Sequence, residues 1–371
     1  MKIDSKKLMR ACLCIIIAGA VLTGIGILLG GWPGVVFSAT GIQSPYTENG
    51  AYTIEKTKIN PFTNTELKVG SYADIRIQPS DDDQFYLEYK LDGDYGEPQY
   101  AVKQDTLTFT HMSKPQHNFY FFRIGFSDDS IINDAYITLY IPKGQDMGHL
   151  SIFNDCGDVS VEDVIFGSTK MDVDYGNVNL QNTVFDDLEL NTESGDIKAD
   201  SLTAKSILLE NEYGDVNLKN VSAEEAGLTM ESGNLEAKAL DIESLTAKNE
   251  YGHINLDDLS AETVEIEMES GNVFLGIKAL ACLACKNAYG NVEIELPKNF
   301  ADYAVDARCE YGSIKLPPDI SQGYHISSDD EAVYRTDGKS DGTIKVEAES
   351  GDIIFSQSIA APSEPSDGKK Q

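Results

Sequence analysis

Glycine recurs every nineteen residues along the second half of this 371-residue chain. Eight members follow one another at this interval, and two more carry the same local signature after longer spacings. The ten repeat glycines are Gly157, Gly176, Gly195, Gly214, Gly233, Gly252, Gly271, Gly290, Gly312 and Gly351. A fixed period of this length is typical of a solenoid, in which each repeat is one coil that packs against the next.

Apolar and polar residues alternate on both sides of each repeat glycine. Val216 and Leu218 lie two and four residues after Gly214. Leu188 and Leu190 lie seven and five residues before Gly195. A period of two is typical of a strand with one buried face. We therefore expect an all-β, single-coil β-solenoid, in which each coil supplies two short strands joined at the glycine and makes a circuit of roughly 60 Å.

A longer period of 38 residues is superimposed on the first, because the residue before the glycine alternates between tyrosine and serine. The tyrosines are Tyr175, Tyr213, Tyr251 and Tyr289, with Tyr311 before the ninth repeat glycine. Counting the alternation along the preceding strand predicts that these side chains point inward, so that large residues pack over small ones. The alternative is an exposed aromatic ladder that binds carbohydrate.

Carboxylates form two further columns, two residues before and one residue after the repeat glycines. The candidate metal ligands in these columns are Glu193, Asp196, Glu212, Asp215, Glu231, Glu250 and Glu269. One interpretation is a row of calcium ions that bridges neighbouring coils, since calcium takes oxygen ligands in flexible geometry. The other is a solvated acidic face, which the absence of a G-G-x-G-x-D calcium signature favours. No other cofactor is expected.

The N-terminal segment predicts a membrane anchor. Residues 11–47 hold no charged side chain, and 11–31 are long enough to span a bilayer as a helix. Lys2, Lys6, Lys7 and Arg10 precede this segment, so residues 1–10 are expected in the cytoplasm and the rest outside the cell membrane, in a single-pass arrangement. A cleaved signal peptide is the alternative. Both interpretations export the remainder of the chain.

The rest of the chain divides by its patterning. Residues 32–50 form a linker, 51–149 an antiparallel β cap over the first coil, and 150–316 the solenoid repeats. Residues 317–355 are expected to form an irregular loop and a final coil, and 356–371 a disordered tail.

The composition disfavours nucleic-acid binding and catalysis. A net charge of −32 disfavours nucleic acid as a partner. The repeats from 157 to 290 hold no arginine, the five histidines are scattered, and Cys282 and Cys285 form a lone C-x-x-C pair. We therefore expect no enzyme and no catalytic residue. The alternative is a calcium-dependent, polysaccharide-acting β-helix enzyme, with its site near Arg308 and Arg335, where the repeat becomes irregular.

The strand end Ile141-Pro142-Lys143-Gly144, followed by the Gly-Asp-Val, Ser-Gly-Asp-Ile and Tyr-Gly-Asp-Val repeats, resembles the bacterial "putative adhesin" family, a domain of unknown function with LiaG-like relatives. The resemblance covers roughly residues 50 to 356. It implies a β-solenoid at the bacterial cell surface, with a role in adhesion or envelope stress. An envelope protein or a cell-wall polymer would be the partner, and no catalytic residue is implied.

Overall fold

In the computed structural model the chain is built from strands. The structure describes residues 19, 22, 34–38, 41–43, 51–93, 95–112, 120–125, 134–297, 302–318, 320, 323–327, 331–337 and 342–357. Eleven strands precede the first repeat glycine's own strand. They are β1 (Gly34–Ser38), β2 (Gly41–Gln43), β3 (Tyr52–Lys58), β4 (Asn64–Tyr72), β5 (Asp74–Pro79), β6 (Tyr86–Leu91), β7 (Gln99–Lys103), β8 (Thr106–His111), β9 (Tyr120–Gly125), β10 (Tyr136–Ile141) and β11 (Asp146–Met147).

Sixteen strands follow, and six of them are seventeen-residue coils. They are β12 (Leu150–Cys156), β13 (Val159–Glu162), β14 (Ile165–Tyr175), β15 (Val178–Ser194), β16 (Ile197–Tyr213), β17 (Val216–Ser232), β18 (Leu235–Tyr251), β19 (Ile254–Ser270), β20 (Val273–Tyr289), β21 (Val292–Leu296), β22 (Tyr303–Tyr311), β23 (Ile314–Lys315), β24 (Tyr324–Ser327), β25 (Ala332–Thr336), β26 (Gly342–Ser350) and β27 (Ile353–Gln357). From β14 to β20, each strand pairs in parallel with the next at an offset of nineteen residues. The predicted β-solenoid is confirmed.

Each coil bends three times rather than twice. Between β16 and β17 the pairing is interrupted at Ser201, at Lys205 and at Glu212, which divides the coil into three straight segments. Side chains that point into the core come from all three segments. In β17 they are Val216, Leu218, Val221, Ala223, Ala226, Leu228 and Met230. The expectation of two strands per coil is corrected to three faces around one apolar core.

The bend at the repeat glycine, beside the interruption at Glu212, requires glycine. Gly214 has φ of +141°, and a Cβ at this position would lie 2.1 Å from the carbonyl oxygen of Gly195. Both the left-handed backbone and the close approach of the neighbouring coil exclude a side chain. The strict nineteen-residue register of glycine therefore reflects a steric requirement that each coil imposes on the next.

A second bend falls six residues after the glycine and was not predicted. The residues there have φ between 50° and 62°, in the left-handed region. They are Asp163, Asn182, Ser201, Asn220, Ala239 and Asp258. Asp and Asn tolerate this conformation better than other L residues do. The column of Asp and Asn at this offset was therefore a sequence signal for the bend.

The solenoid begins before residue 150. Strands β4 and β5 pair in parallel with β12 and β13, so that Leu67 lies beside Ile152. Ala73 takes the place of a repeat glycine, since its carbonyl oxygen faces Gly157 as each repeat glycine faces the next. Strand β10 is parallel to β5 and antiparallel to β6. The expected antiparallel cap is thus a mixed sheet, and its inner strands are themselves a coil.

The last coil in sequence is not the last in the stack. Strand β26 lies between β20 and β22, and β27 lies between β21 and β23. Gly351 therefore packs on Gly290, and Gly312 packs on Gly351. Because the chain passes over one position and later returns to fill it, the register breaks between residues 297 and 342.

The predicted cytoplasmic segment and the predicted anchor lie outside the described residues, apart from Gly19 and Leu22 of the anchor. Among the residues that are described, no helix is long and apolar enough to cross a membrane. Part of the predicted linker forms β1 and β2, and β1 pairs with β9. The predicted tail begins two residues too early, because β27 extends to Gln357.

Candidate binding edge at the glycine corners

The glycine corner of each coil comprises the two residues before the repeat glycine, the glycine itself and the residue after it. The tyrosine just before the glycine is exposed, by 57% in Tyr213 and 65% in Tyr311. The prediction that these side chains point inward is wrong. The exposed aromatic ladder, which was the alternative, is what the structure contains.

Alternation fails here because the corner starts one residue earlier than the glycine. Thr192 pairs with Asn211, and Ser194 pairs with Tyr213, but the intervening Glu193 and Glu212 do not pair. The chain therefore turns at the glutamate, and two successive side chains point outward. Counting parity along a strand cannot detect a bend of this kind.

Tyrosine and a small residue alternate along the whole stack, including the positions where the sequence register is broken. Cα partners in order are Tyr72, Cys156, Tyr175, Ser194, Tyr213, Ser232, Tyr251, Ser270, Tyr289, Ser350 and Tyr311. Tyr72, which the sequence did not single out, is 51% exposed. We call the six tyrosines of this series the tyrosine column. Its members are separated by two strand spacings, roughly 9.6 Å.

The carboxylates two residues before the glycines form an acidic column beside the tyrosines. In stack order they are Asp155, Asp174, Glu193, Glu212, Glu231, Glu250, Glu269, Glu349 and Glu310, with Ala288 before Glu349. All except Asp174 are exposed. Unit charges about 4 Å apart repel by about 1 kcal/mol even in water. Partial burial and then the nearby Glu193 and Asp155 raise the pKa of the Asp174 carboxyl.

The residue after each glycine has a structural task. Its side chain accepts a hydrogen bond from the backbone N–H of the equivalent residue in the next coil, as Asp196 Oδ1 does from Asp215 at 3.0 Å. The same contact recurs from Asp74 to Ser313, with His253 Nδ1 as one acceptor. We call this series the capping ladder. It satisfies amides that the bend removes from the sheet.

Buried asparagines hold the corner from inside. Asn249 Nδ2 donates to the carbonyl oxygen of Gly233 at 2.9 Å, and Asn287 Nδ2 donates to that of Gly271 at 3.0 Å. Both side chains are 3% exposed or less. They lie in coils that have tyrosine before the repeat glycine. Met230 and Met268 occupy the same position in coils that have serine there. Asparagine and methionine therefore alternate in this column from Asn211 to Asn287.

A groove of about 610 Å³ runs beside the acidic column over the C-terminal half of the stack. Its wall carries side chains of alternating charge from successive coils, in the order Lys248, Glu267, Lys286, Glu347 and Arg308. Lys248 Nζ lies 2.7 Å from Glu267 Oε2. This ion pair joins two neighbouring coils beside the acidic column.

The predicted metal ligands lie in two different columns. Asp196 and Asp215 belong to the capping ladder, while Glu193, Glu212, Glu231, Glu250 and Glu269 lie in the acidic column. No group of three or more His, Cys, Asp or Glu that could hold a metal ion occurs among the described residues. Calcium binding to the exposed carboxylates stays a prediction.

The two arginines near which a catalytic site was considered both form ion pairs. Arg308 Nε lies 2.9 Å from Glu331, and Arg335 Nε lies 2.9 Å from Asp306. Cys282 is exposed, while burial raises the pKa of the Cys285 thiol to about 12. A thiol with so high a pKa is a poor nucleophile and metal ligand at neutral pH.

One histidine makes a contact that the sequence did not predict. His111 Nδ1 lies 2.6 Å from Ser71 Oγ. The two side chains are 0% and 2% exposed, so solvent and substrate do not reach them. Their hydrogen bond joins β4 and β8 at the start of the stack.

These features define a β-solenoid that presents a periodic aromatic and acidic edge. The chain belongs to the Toastrack DUF4097 family, whose model matches residues 63–256 and 200–355. The predicted family resemblance is confirmed. No curated protein matches the chain.

Solved structures that resemble the chain do so at low sequence identity. A "putative adhesin" from Parabacteroides distasonis is 14% identical, with a TM-score of 0.43, and the match covers 82% of this chain and 97% of that one. A second "putative adhesin", from Bacteroides fragilis, is 17% identical with a TM-score of 0.34, covering 85% of this chain and 99% of that one. A "putative lipid binding protein" from Parabacteroides distasonis is 13% identical with a TM-score of 0.35, covering 82% and 96%.

Proposed function

We propose that the chain is a non-catalytic module at the bacterial cell surface, and that its glycine corners bind an extended partner in the cell envelope. The tyrosine column carries this proposal. Six exposed aromatic side chains in one line, each on every second coil, are not needed for packing, since serine or cysteine occupies the same position on the intervening coils. Exposed aromatic residues in a continuous patch are typical of binding surfaces.

The N-terminal segment supports the proposed location. Its uncharged run and the preceding basic residues favour a single-pass anchor with the solenoid outside the membrane. A stack of ten or more coils at about 4.8 Å each would then present a line of contacts roughly 50 Å long to an envelope protein or a cell-wall polymer. Roles in adhesion and in envelope stress are both compatible with such a contact.

Sedimentation with isolated bacterial envelopes tests the proposal. The purified full-length chain, kept in mild detergent, is mixed with envelopes before and after protease treatment, which separates protein partners from polymer partners. The variant Tyr213→Ser/Tyr251→Ser/Tyr289→Ser should lose most of the sedimented fraction. Each substitution introduces the residue that the neighbouring coils already carry, so the fold should be retained.

The matched control removes exposed apolar side chains from other faces. Leu208 and Val184 are 43% and 41% exposed and lie away from the glycine corners. Leu208→Ser/Val184→Ser should sediment like the parent chain. Equal sedimentation of the tyrosine variant and the parent would contradict a binding role for the tyrosine column.

A further inference from the structure

The glycine corners themselves carry aromatic rings and negative charge, and the nearest cations, Lys248, Lys286 and Arg308, lie in the wall of the groove beside them. The described corner positions hold tyrosine, serine, cysteine, carboxylates, asparagine, alanine and His253, but neither lysine nor arginine. Several lysines of the coils pair with carboxylates in other columns, as in Lys205–Asp186 and Lys219–Asp200. Among the described residues, no ion pair joins a lysine or arginine to the acidic column.

This combination selects for the charge of the partner. A cation over the face of a tyrosine ring is attracted by the ring quadrupole, and a carboxylate beside the ring adds to the attraction. An anionic polymer would be repelled by the carboxylates of the corners. A neutral saccharide could stack on the rings but would gain nothing from the carboxylates.

The spacing of the rings selects for the conformation of the partner. Tyrosines on every second coil repeat at roughly 9.6 Å. Three residues of polyproline II helix advance about 9.3 Å, at about 3.1 Å per residue. Alternate side chains of a β-strand repeat at only about 6.7 Å. A polyproline II segment with a basic residue at every third position would therefore place one cation at each tyrosine.

We propose that the tyrosine column and the acidic column together bind a basic polypeptide in polyproline II conformation, with lysine or arginine at every third residue. This inference rests on the proposed function and adds the chemistry of the partner. Aromatic surfaces commonly recognise this conformation, because its low residual entropy reduces the cost of binding. The contacts repeat along the stack, so affinity should rise steeply with the number of triplets.

A fluorescently labelled peptide of six Pro-Pro-Lys triplets is the probe, and its anisotropy with the full-length chain in mild detergent is the measurement. The comparison peptides are six Pro-Lys pairs, which carry the same charge at the wrong period, and six neutral Pro-Pro-Gln triplets. We expect the Pro-Pro-Lys peptide to bind at least tenfold more tightly than the Pro-Lys peptide at physiological salt. The neutral peptide should not bind.

Two sets of variants test the two columns. Tyr213→Ser/Tyr251→Ser/Tyr289→Ser and Glu212→Gln/Glu231→Gln/Glu250→Gln should each weaken binding at least tenfold. The charge-matched control, Glu224→Gln/Glu225→Gln/Glu243→Gln, removes three exposed carboxylates from a different bend and should leave binding within twofold of the parent. Thermal melts of all variants check that the coils remain folded.

Other outcomes overturn the inference. Equal affinity for the two lysine peptides, or equal losses in the test and control glutamate variants, would mean attraction by net charge alone. Tighter binding of an uncharged peptidoglycan fragment would mean that the rings recognise sugar. If the peptides fail but the tyrosine variant still loses envelope binding, the proposed function stands and only the cationic partner is wrong.

Discussion

At the scale of single residues, two glycines of neighbouring positions in the stack differ in their tolerance of a side chain. Gly214 is a repeat glycine with no room for a Cβ, whereas Gly227 lies within β17 and has room for one. Gly214→Ala places a Cβ 2.1 Å from a backbone oxygen at φ of +141°. Gly227 has an ordinary φ, and a Cβ there would meet no atom closer than Leu208 Cδ1 at 3.4 Å. We expect Gly214→Ala to lower the free energy of unfolding by about 3 kcal/mol or more, from strain and displacement of the neighbouring coil.

Gly227→Ala is the control, and it should be neutral or slightly stabilising, since alanine loses less backbone entropy on folding. Urea denaturation followed by far-ultraviolet circular dichroism measures both variants. Similar midpoints for the two would contradict the steric account of the nineteen-residue register.

The carboxyl of Asp174 gives a prediction with a defined sign. Its pKa in the folded chain is raised above the ordinary value of 3.8 by burial and by Glu193, Asp155 and Asp172. A raised carboxyl pKa means that ionisation opposes folding at pH values above the folded pKa, and that this penalty disappears as the pH falls below 3.8. Asp174→Asn should therefore raise the melting temperature at pH 7.

The same variant should have little effect at pH 3, where the parent side chain is already protonated in both states. Asp186→Asn is a useful contrast, because Asp186 Oδ1 lies 2.6 Å from Lys205 Nζ and its charge is compensated. Thermal melts across this pH range decide the matter. A lower melting temperature for Asp174→Asn at pH 7 would contradict an ionisation penalty at this carboxyl.

At the scale of elements, alternation and period predicted the stack of parallel strands but not its bends. The inward residues of the straight segments, such as Val216, Leu218 and Leu190, follow strict parity and were assigned correctly. The tyrosines were misplaced because a bend at the preceding glutamate adds one outward position. Parity depends on an unbroken pleat, and three bends in each coil interrupt it.

The order of the last coils was also missed, although the sequence carried a clue. Tyr289 and Tyr311 belong to consecutive repeats in the chain, which breaks the tyrosine–serine alternation, and Ser350 restores it in space. The three extra residues between Gly290 and Gly312 provide length for the chain to pass over one coil position. Only a rule that alternation holds in space, rather than in sequence, would have predicted the insertion.

This insertion makes the C-terminal segment essential to the coil that precedes it in sequence. Strand β22 pairs with β26 and β25 and, within the part of the chain that the structure describes, has no pairing with β20. A chain that ends at Leu316 lacks both partners of β22. We expect hydrogen exchange of amides 303–311 to become much faster, while β17 and β18 remain protected, since solenoid coils depend mainly on their neighbours.

The comparison is made between the full-length and truncated chains by hydrogen–deuterium exchange and mass spectrometry. Truncation after Gln357, which removes only the segment beyond β27, is the control and should change no protection. Full protection of 303–311 in the chain ending at Leu316 would mean that β22 can dock directly on β20.

At the scale of the whole molecule, the proposed orientation has a built-in reporter. Cys282 is exposed, whereas Cys285 and Cys309 are buried and burial raises the pKa of both thiols. Maleimides react with the thiolate of accessible cysteines, so Cys282 should be the most reactive thiol in the described part of the chain. If the solenoid lies outside the membrane, a membrane-impermeant maleimide should label the full-length protein on intact cells.

Cys282→Ser should remove most of this labelling, and Cys285→Ser should leave it unchanged, which assigns the signal to one face of the solenoid. Labelling that appears only after the cells are permeabilised would place the coils in the cytoplasm. That result would exclude an envelope partner for the tyrosine column even if the purified chain bound envelopes, because the two would not meet in the cell. The topology measurement and the binding measurements therefore test separate links of the proposal, and both must succeed for the acidic, tyrosine-bearing edge to act at the cell surface.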